Sequence, residues 1–198
     1  EASPRMIASA AKKTKSMSVA FTYNDPVIFF EYAIEVAKAC HEEGIKTVAV
    51  TAGYLTNKAA EEFFSHMDAA NIDLKAFTQD FYNRLCSGQL SKVLETLKYL
   101  KHETDVWFEL TNLIIPGEND QEKEIEEMTQ WVVENLGPDV PMHFTAFHPD
   151  WKMMDTPHTP KETVIKSRNI AKKNGVRCAY KGNIHDFESA STYCHSCG

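Results

Sequence analysis

Short apolar, strand-like runs in this chain end again and again on a small polar cluster, after which a helix-like stretch begins. The runs and the clusters that follow them are residues 18–22 before 23–26, 47–50 before 51–53, 72 before 73–75, 106–115 before 116–120, and 144–147 before 148–150. This order is typical of stacked βα units with a parallel sheet, and such folds bind ligands at the carboxyl ends of their strands. The polar clusters therefore mark the edge where we expect a functional site.

About six strands can be counted, with no sequence repeat, and a closed barrel needs eight βα units. The order therefore predicts an α/β fold, and a partial (β/α)6 TIM-like barrel of parallel strands or an open doubly wound sheet fits it. We expect the partial barrel over residues 1–182, truncated at its N-terminus because the sequence opens on a helix, and an irregular tail over 183–198. Within the barrel the pattern predicts helices over 57–68 and 78–86 and a last strand over 176–180.

The bulk properties are those of an ordinary globular chain and argue against two classes of partner. The net charge is −7 over 198 residues and no block of lysine and arginine occurs, so we expect neither nucleic-acid nor membrane binding. No apolar run approaches the roughly 20 residues of a membrane span. The five cysteines are odd in number and scattered, which indicates a reducing, cytoplasmic location rather than a disulfide framework.

Two charged residues lie on the third predicted strand, around residues 72–76. Asp73 and Lys75 are two positions apart, so their side chains point to the same face. An unpaired charge withdrawn from water is strongly unfavourable, so each group needs a partner or a ligand. Two interpretations stay open, a structural ion pair or the recognition of a zwitterionic or hydroxylated ligand.

Polar side chains after the first two strands also have two interpretations. Asn24 and Asp25 precede Pro26, so Asp25 is either a simple helix cap or, with Asn24, an acceptor for a ligand's ammonium group. Thr51 offers a hydroxyl beside Gly53, whose lack of a side chain permits a close backbone approach.

The remaining candidates come from later parts of the chain. His148 ends a strand before a proline and is placed to reach the same edge, although a lone histidine is often structural. Glu109 and Thr111 share one face of an apolar strand, and alternation does not tell which face points inwards. Cys194 and Cys197 have the spacing of half a tetrahedral metal site, which is consistent with a metal pair, a redox pair or a remnant of a larger site.

The order Tyr-Asn-Asp-Pro, Thr-Ala-Gly, Asp-Leu-Lys, Pro-Gly-Glu-Asn-Asp and Phe-His-Pro-Asp resembles radical S-adenosylmethionine (SAM) enzymes. The nearest resemblance is to relatives of pyruvate formate-lyase-activating enzyme, in particular the radical enzyme of the AmmeMemoRadiSam system, and it covers nearly the whole chain. It implies a [4Fe–4S] cluster and SAM at the end of a partial barrel. In such enzymes reductive cleavage of SAM gives a 5′-deoxyadenosyl radical that abstracts hydrogen from a substrate, which for activating enzymes is a partner protein that receives a glycyl radical.

The resemblance also implies roles for the polar residues: Asn24 and Asp25 at the methionyl ammonium, Thr51, Asp73 and Lys75 near the ribose and carboxylate, and His148 near the adenosine. We include Glu109 and Thr111 among the cofactor-binding candidates. The family's Cys-x-x-x-Cys-x-x-Cys motif does not occur in this sequence, and three thiolates are needed to leave one iron open. We therefore expect a fragment that begins after this motif, with the cluster ligands outside the chain and no activity by itself.

Two other functions stay open at this point. Lys75 at a strand end suits an aldolase-type enzyme that forms a Schiff base, which borohydride trapping with a carbonyl substrate would reveal. A non-catalytic metal-binding or interaction module is supported only by the C-terminal cysteines, and metal analysis would identify it. Both protein and small-molecule substrates are compatible with the sequence.

Overall fold

The computed structural model describes residues 2–184, 191, 192 and 194, in which strands and helices alternate. The strands in this part of the chain are β1 Ser18–Phe21, β2 Lys46–Thr51, β3 Ala69–Asp73, β4 Trp107–Ile114, β5 Met142–Ala146 and β6 Ala179–Gly182. The α-helices are α1 Pro4–Lys13, α2 Phe30–Glu42, α3 Asn57–Phe64, α4 Gln79–Phe81, α5 Leu90–Glu103, α6 Glu122–Leu136 and α7 Lys161–Lys173. Pro26–Phe29 and Trp151–Met153 are 3-10 helices, and Tyr82–Cys86 is a π-helix.

The chain divides into two compact units, the first formed by Glu1–Ile72 and Ser91–Phe108 and the second by Asp73–Leu90 and Glu109–Gly198. In the first unit β1, β2 and β3 are neighbours and pair in parallel. In the second unit β4, β5 and β6 do the same. The parallel α/β organisation predicted from the sequence is therefore present in each unit.

Helix α2 covers one face of the strands in the first unit. It packs against β2, and α1 packs against α2 in turn. Its buried residues recur at helical spacing, including Ala33, Val36, Ala37 and Cys40, which gives the apolar stripe that a surface helix needs. Polar residues follow the carboxyl ends of β1 and β2.

Side chains in the second unit alternate between a buried and a half-exposed face. Leu110 and Asn112 of β4 are buried, and the Asn112 amide lies 3.8 Å from Met128 Sδ of α6, so this face looks towards that helix. Glu109 and Thr111 are half-buried and lie on the opposite face. Alternation did not tell which face of the strand Glu109 and Thr111 occupy. The structure places them on the face of β4 that points away from α6.

Helix α3 is shorter than the predicted helix over 57–68, because it ends at Phe64. The Asp68 N–H donates to the Thr47 carbonyl over 3.0 Å, and the Asp68 carboxylate accepts from the Thr47 N–H over 2.8 Å. These bonds hold the chain beside β2 at the point where β3 begins. Contacts distant in sequence therefore override the local helical pattern.

Two further boundaries differ from the prediction. The last strand covers Ala179–Gly182 instead of 176–180, because the Val176 N–H donates to the Ala171 carbonyl over 3.0 Å and still closes helix α7. The predicted helix over 78–86 is the short α4 followed by a π-helix.

None of the helices in the described part of the chain is long and apolar enough to cross a bilayer.

Candidate functional site

Asp25 connects the loop after β1 to the end of β2. Its Oδ1 accepts from the Val27 N–H over 3.1 Å and from the Thr51 hydroxyl over 2.8 Å, while Oδ2 accepts from the Ala52 N–H over 2.8 Å. The Thr51 oxygen in turn accepts from the Gly53 N–H over 3.1 Å. The polar residues after the first two strands thus form one hydrogen-bonded cluster.

The cap predicted at Asp25 is present, since its carboxylate accepts from the first turn of the 3-10 helix that begins at Pro26. An ionised carboxylate offers about four acceptor positions, of which these bonds occupy three. Asn24 is exposed beside it. A role for Asn24 and Asp25 towards a ligand's ammonium group stays a prediction, as does a ligand role for Thr51.

Asp73 and Lys75 form an ion pair in the second unit. The Lys75 ammonium donates to Asp73 Oδ2 over 2.7 Å, so the ion pair, one of the two interpretations of their spacing, is present, while a ligand role for the pair stays a prediction. Their side chains are 39% exposed for Lys75 and 32% for Asp73, so both charged groups remain accessible to a ligand. A half-buried charge needs an opposite charge nearby, and each member of the pair provides it for the other. The ammonium group has three N–H donors, so donors remain for a ligand.

The π-helix that follows this pair brings two more titratable groups near it. The Tyr82 hydroxyl accepts from the Lys75 N–H over 3.3 Å, and burial raises the pKa of Tyr82. Burial also raises the pKa of the Cys86 thiol, an effect that the positive charge of Lys75 opposes and the negative charge of Asp73 adds to. A π-helix is rare and is often found at functional sites.

Glu109 pairs with a histidine that was not predicted from the sequence. His143 Nε2 lies 2.6 Å from Glu109 Oε2, and the imidazole stacks on the Tyr180 ring with centroids 5.1 Å apart. In register, His143 pairs with both Thr111 and Tyr180, so three adjacent strands contribute polar groups to one face. In sequence, His143 stands at an alternating position of an apolar strand, between two residues that are buried in the structure. This position indicates a site only when the strand register is known, because the register places His143 beside Thr111 and Tyr180.

His148 follows β5, as predicted, and its side chain is exposed. Its Nδ1 lies 2.7 Å from the Pro149 carbonyl, which accepts a hydrogen bond when Nδ1 carries the proton. The ring also meets His158 edge-on, with centroids 4.2 Å apart. The predicted role of His148 near adenosine stays a prediction.

A metal site is not present among the described residues, where no group of three or more histidine, cysteine, aspartate or glutamate side chains could hold an ion. Cys194 is described and exposed, whereas Cys197 lies outside the described residues. The metal or redox role predicted for this pair therefore stays a prediction.

Comparison with known proteins identifies relatives along the whole chain. A family model for the Radical SAM superfamily matches residues 1–131. An uncharacterized protein of Methanocaldococcus jannaschii is 35% identical over 198 residues, which are 100% of this chain and 58% of that protein. The 4-hydroxyphenylacetate decarboxylase activating enzyme of Clostridioides difficile is 22% identical over 181 residues, or 85% of this chain and 56% of that enzyme. The chain thus spans little more than half the length of these relatives.

A solved structure with the same fold is a domain of pyruvate-formate lyase-activating enzyme from Bacteroides vulgatus ATCC 8482. It aligns with a TM-score of 0.72 at 19% identity, over 84% of this chain and 99% of that domain. Streptococcus suis SuiB bound to S-adenosylmethionine aligns with a TM-score of 0.71 at 15% identity, over 91% of this chain and 43% of SuiB. At these identities the likeness concerns the fold, and it confirms the predicted α/β class of the partial (β/α)6 type.

Proposed function

The chain belongs to the radical S-adenosylmethionine superfamily, and from that premise we propose that it supplies SAM-binding residues to an enzyme that cleaves SAM reductively. Membership confirms the family that the motifs resembled and the predicted class of enzyme. In the proposed reaction one electron from a reductant outside the described residues breaks the bond between C5′ and the sulfonium sulfur of SAM, which releases methionine and a 5′-deoxyadenosyl radical. The radical then takes a hydrogen atom from the substrate and becomes 5′-deoxyadenosine. The part of this chain is to bind and orient SAM.

The observation that carries the proposal is the Asp73–Lys75 pair. Its two charged groups are 2.7 Å apart and each side chain is about one-third exposed. SAM presents a carboxylate, an ammonium group and ribose hydroxyls, and the pair offers a cation for the first and an anion for the other two. The chemistry of these donors and acceptors fits SAM.

The same pair argues against the aldolase alternative. A Schiff base needs a lysine nitrogen that is free to attack a carbonyl, whereas the Lys75 nitrogen donates a hydrogen bond to Asp73 Oδ2 over 2.7 Å. Borohydride trapping at Lys75 is therefore not the expected outcome.

A [4Fe–4S] cluster does not fit the described residues, which contain no group of three metal-binding side chains. The sequence also lacks the Cys-x-x-x-Cys-x-x-Cys spacing, and a cluster with one open iron needs three thiolates. We assign the cluster ligands to a segment outside these 198 residues, and we derive no step of the reaction through the cluster.

For the substrate we propose a partner protein that receives a glycyl radical. The support is the similarity to an activating enzyme named for 4-hydroxyphenylacetate decarboxylase, together with the fold shared with a domain of pyruvate-formate lyase-activating enzyme. Mass spectrometric detection of oxygen-dependent cleavage of a glycyl-radical protein after incubation with the active enzyme would test this substrate class.

Binding of SAM is tested by an NMR titration of the chain. We expect weak, saturable shifts, and affinity at least about tenfold lower in Lys75→Met, because hydrogen bonds to charged groups contribute about 1.5–3 kcal/mol. Lys166→Met is the matched control, since Lys166 also pairs with a carboxylate, Glu122, but on exposed helices. Absence of saturable shifts in the wild type, or equal affinity in Lys75→Met and Lys166→Met, would contradict the proposal.

A further inference from the structure

The backbone of Lys75 lies beyond the end of β3 and is held by side chains. Its carbonyl accepts from Asn112 Nδ2 over 3.1 Å and from Asn119 Nδ2 over 2.6 Å, and its N–H donates to the Tyr82 hydroxyl over 3.3 Å. These partners come from β4, from the loop after β4 and from the π-helix. Three separate elements thus converge on one peptide carbonyl and one N–H.

Both asparagines are buried, with 2% of Asn112 and 1% of Asn119 exposed. The same amide of Asn112 donates to the Leu74 carbonyl over 2.9 Å, and that of Asn119 to the Leu113 carbonyl over 2.9 Å. Buried amide donors are unfavourable unless they are hydrogen-bonded, and the Nδ2 groups of both asparagines are, which favours one conformation. The buried Asn112 Oδ1 has no hydrogen-bond partner among the described residues. The network therefore fixes the main chain from which the Lys75 side chain projects.

Asn119 belongs to the Pro-Gly-Glu-Asn-Asp motif, for which the proposed function gives no role. Its Oδ1 accepts from the Ile115 N–H over 2.7 Å, so the loop folds back on the end of β4. Asp120 Oδ1 accepts from the Gly117 N–H over 3.0 Å and closes the turn. The motif forms a hydrogen-bonded turn that places the Asn119 amide against the Lys75 carbonyl.

We propose that Asn119, together with Asn112, is a positioning residue that holds the Lys75 backbone so that its ammonium group and the Asp73 carboxylate keep one fixed spacing for a zwitterionic ligand. This inference rests on the proposed function for the identity of that ligand. The asparagines touch main-chain atoms of Lys75, so they act on the ligand only through Lys75. Removing them takes away the two amide donors that hold the Lys75 carbonyl.

Hydrogen exchange tests the clamp in the absence of any ligand. In Asn119→Ala we expect the Lys75 amide to exchange at least about tenfold faster than in the wild type, because loss of the clamp permits local opening. Thr159→Val is the matched control, since the buried Thr159 hydroxyl bonds the Ile114 carbonyl and the Phe147 N–H but does not touch Lys75. Equal acceleration at Lys75 in both variants would overturn the inference.

A double-mutant cycle that measures SAM affinity tests whether Asn119 acts on the ligand through Lys75. We expect Asn119→Ala to weaken SAM binding about tenfold in the wild-type background and not to weaken it further in Lys75→Met, because coupled residues are not additive. An equal loss in both backgrounds would overturn the inference and leave the proposed function intact. If the wild type does not bind SAM, the proposed function fails, and the exchange experiment alone decides whether the clamp exists.

Discussion

Asp68 illustrates how one side chain is fixed by partners from distant parts of the sequence. Its carboxylate accepts from the Lys46 ammonium over 2.9 Å, the Thr47 N–H over 2.8 Å and, with a suitable tautomer, His41 Nε2 over 2.9 Å. Burial alone raises the pKa of Asp68, but these hydrogen bonds outweigh it and lower the pKa from 3.8 to about 2. The carboxylate, immediately before β3, is therefore an anion that the fold stabilises.

We predict that Asp68→Asn lowers the free energy of unfolding by about 2 kcal/mol at pH 7, since each pKa unit corresponds to about 1.4 kcal/mol. A depressed carboxylate pKa stabilises the fold above the unfolded pKa, and this contribution is lost as the pH falls towards about 2. Urea denaturation between about pH 7 and pH 3 should show the difference between wild type and variant shrinking. Asp139→Asn, on an exposed pair with Arg177, should change stability by less than about 1 kcal/mol. A difference for Asp68→Asn that is constant with pH would contradict this account.

At the scale of elements, Gly53 determines how the end of β2 meets its neighbours. Its φ is +64°, and a Cβ there would lie 2.8 Å from Ile72 Cγ2 of β3 and 3.9 Å from Val93 Cγ1 of α5. Both the left-handed conformation and the close approach require glycine. The Thr-Ala-Gly motif thus has a packing role in addition to the hydrogen bond between Gly53 and Thr51.

We predict that Gly53→Ala destabilises the chain by about 2–4 kcal/mol, because backbone strain adds to overpacking. Gly44→Ala is the control, since Gly44 has a φ of +71° and a Cβ added there would meet no atom within 4 Å. Only the strain of the left-handed conformation, about 1 kcal/mol, remains there. Urea denaturation of the two variants separates the contribution of strain from that of overpacking. Equal destabilisation would show that the contact with Ile72 is unimportant.

At the scale of the molecule, the sequence predicted the type and order of the elements because apolar periodicity and capping are local. At the start of α1, for example, serine before proline is a cap signal that needs only neighbouring residues, and the Met6 N–H donates to the Ser3 hydroxyl. The pairing of Asp73 with Lys75 was one of two interpretations of their spacing. These features needed no knowledge of distant contacts.

Features that depend on distant contacts were missed. The early end of α3 follows from the bonds between Asp68 and Thr47, and the partner of Glu109 became visible only when the register brought His143 beside it. The same holds for Asn119, whose target carbonyl is 44 residues away. That all strand ends share a single cofactor site stays a prediction.

The most direct test of the central claim is reductive cleavage of SAM by the chain extended with a Cys-x-x-x-Cys-x-x-Cys segment. After anaerobic iron–sulfur reconstitution and reduction with dithionite, we predict a brown protein that converts SAM to 5′-deoxyadenosine and methionine, and much slower conversion in Lys75→Met. A protein that stays colourless, or one that turns brown and leaves SAM intact, would contradict the account.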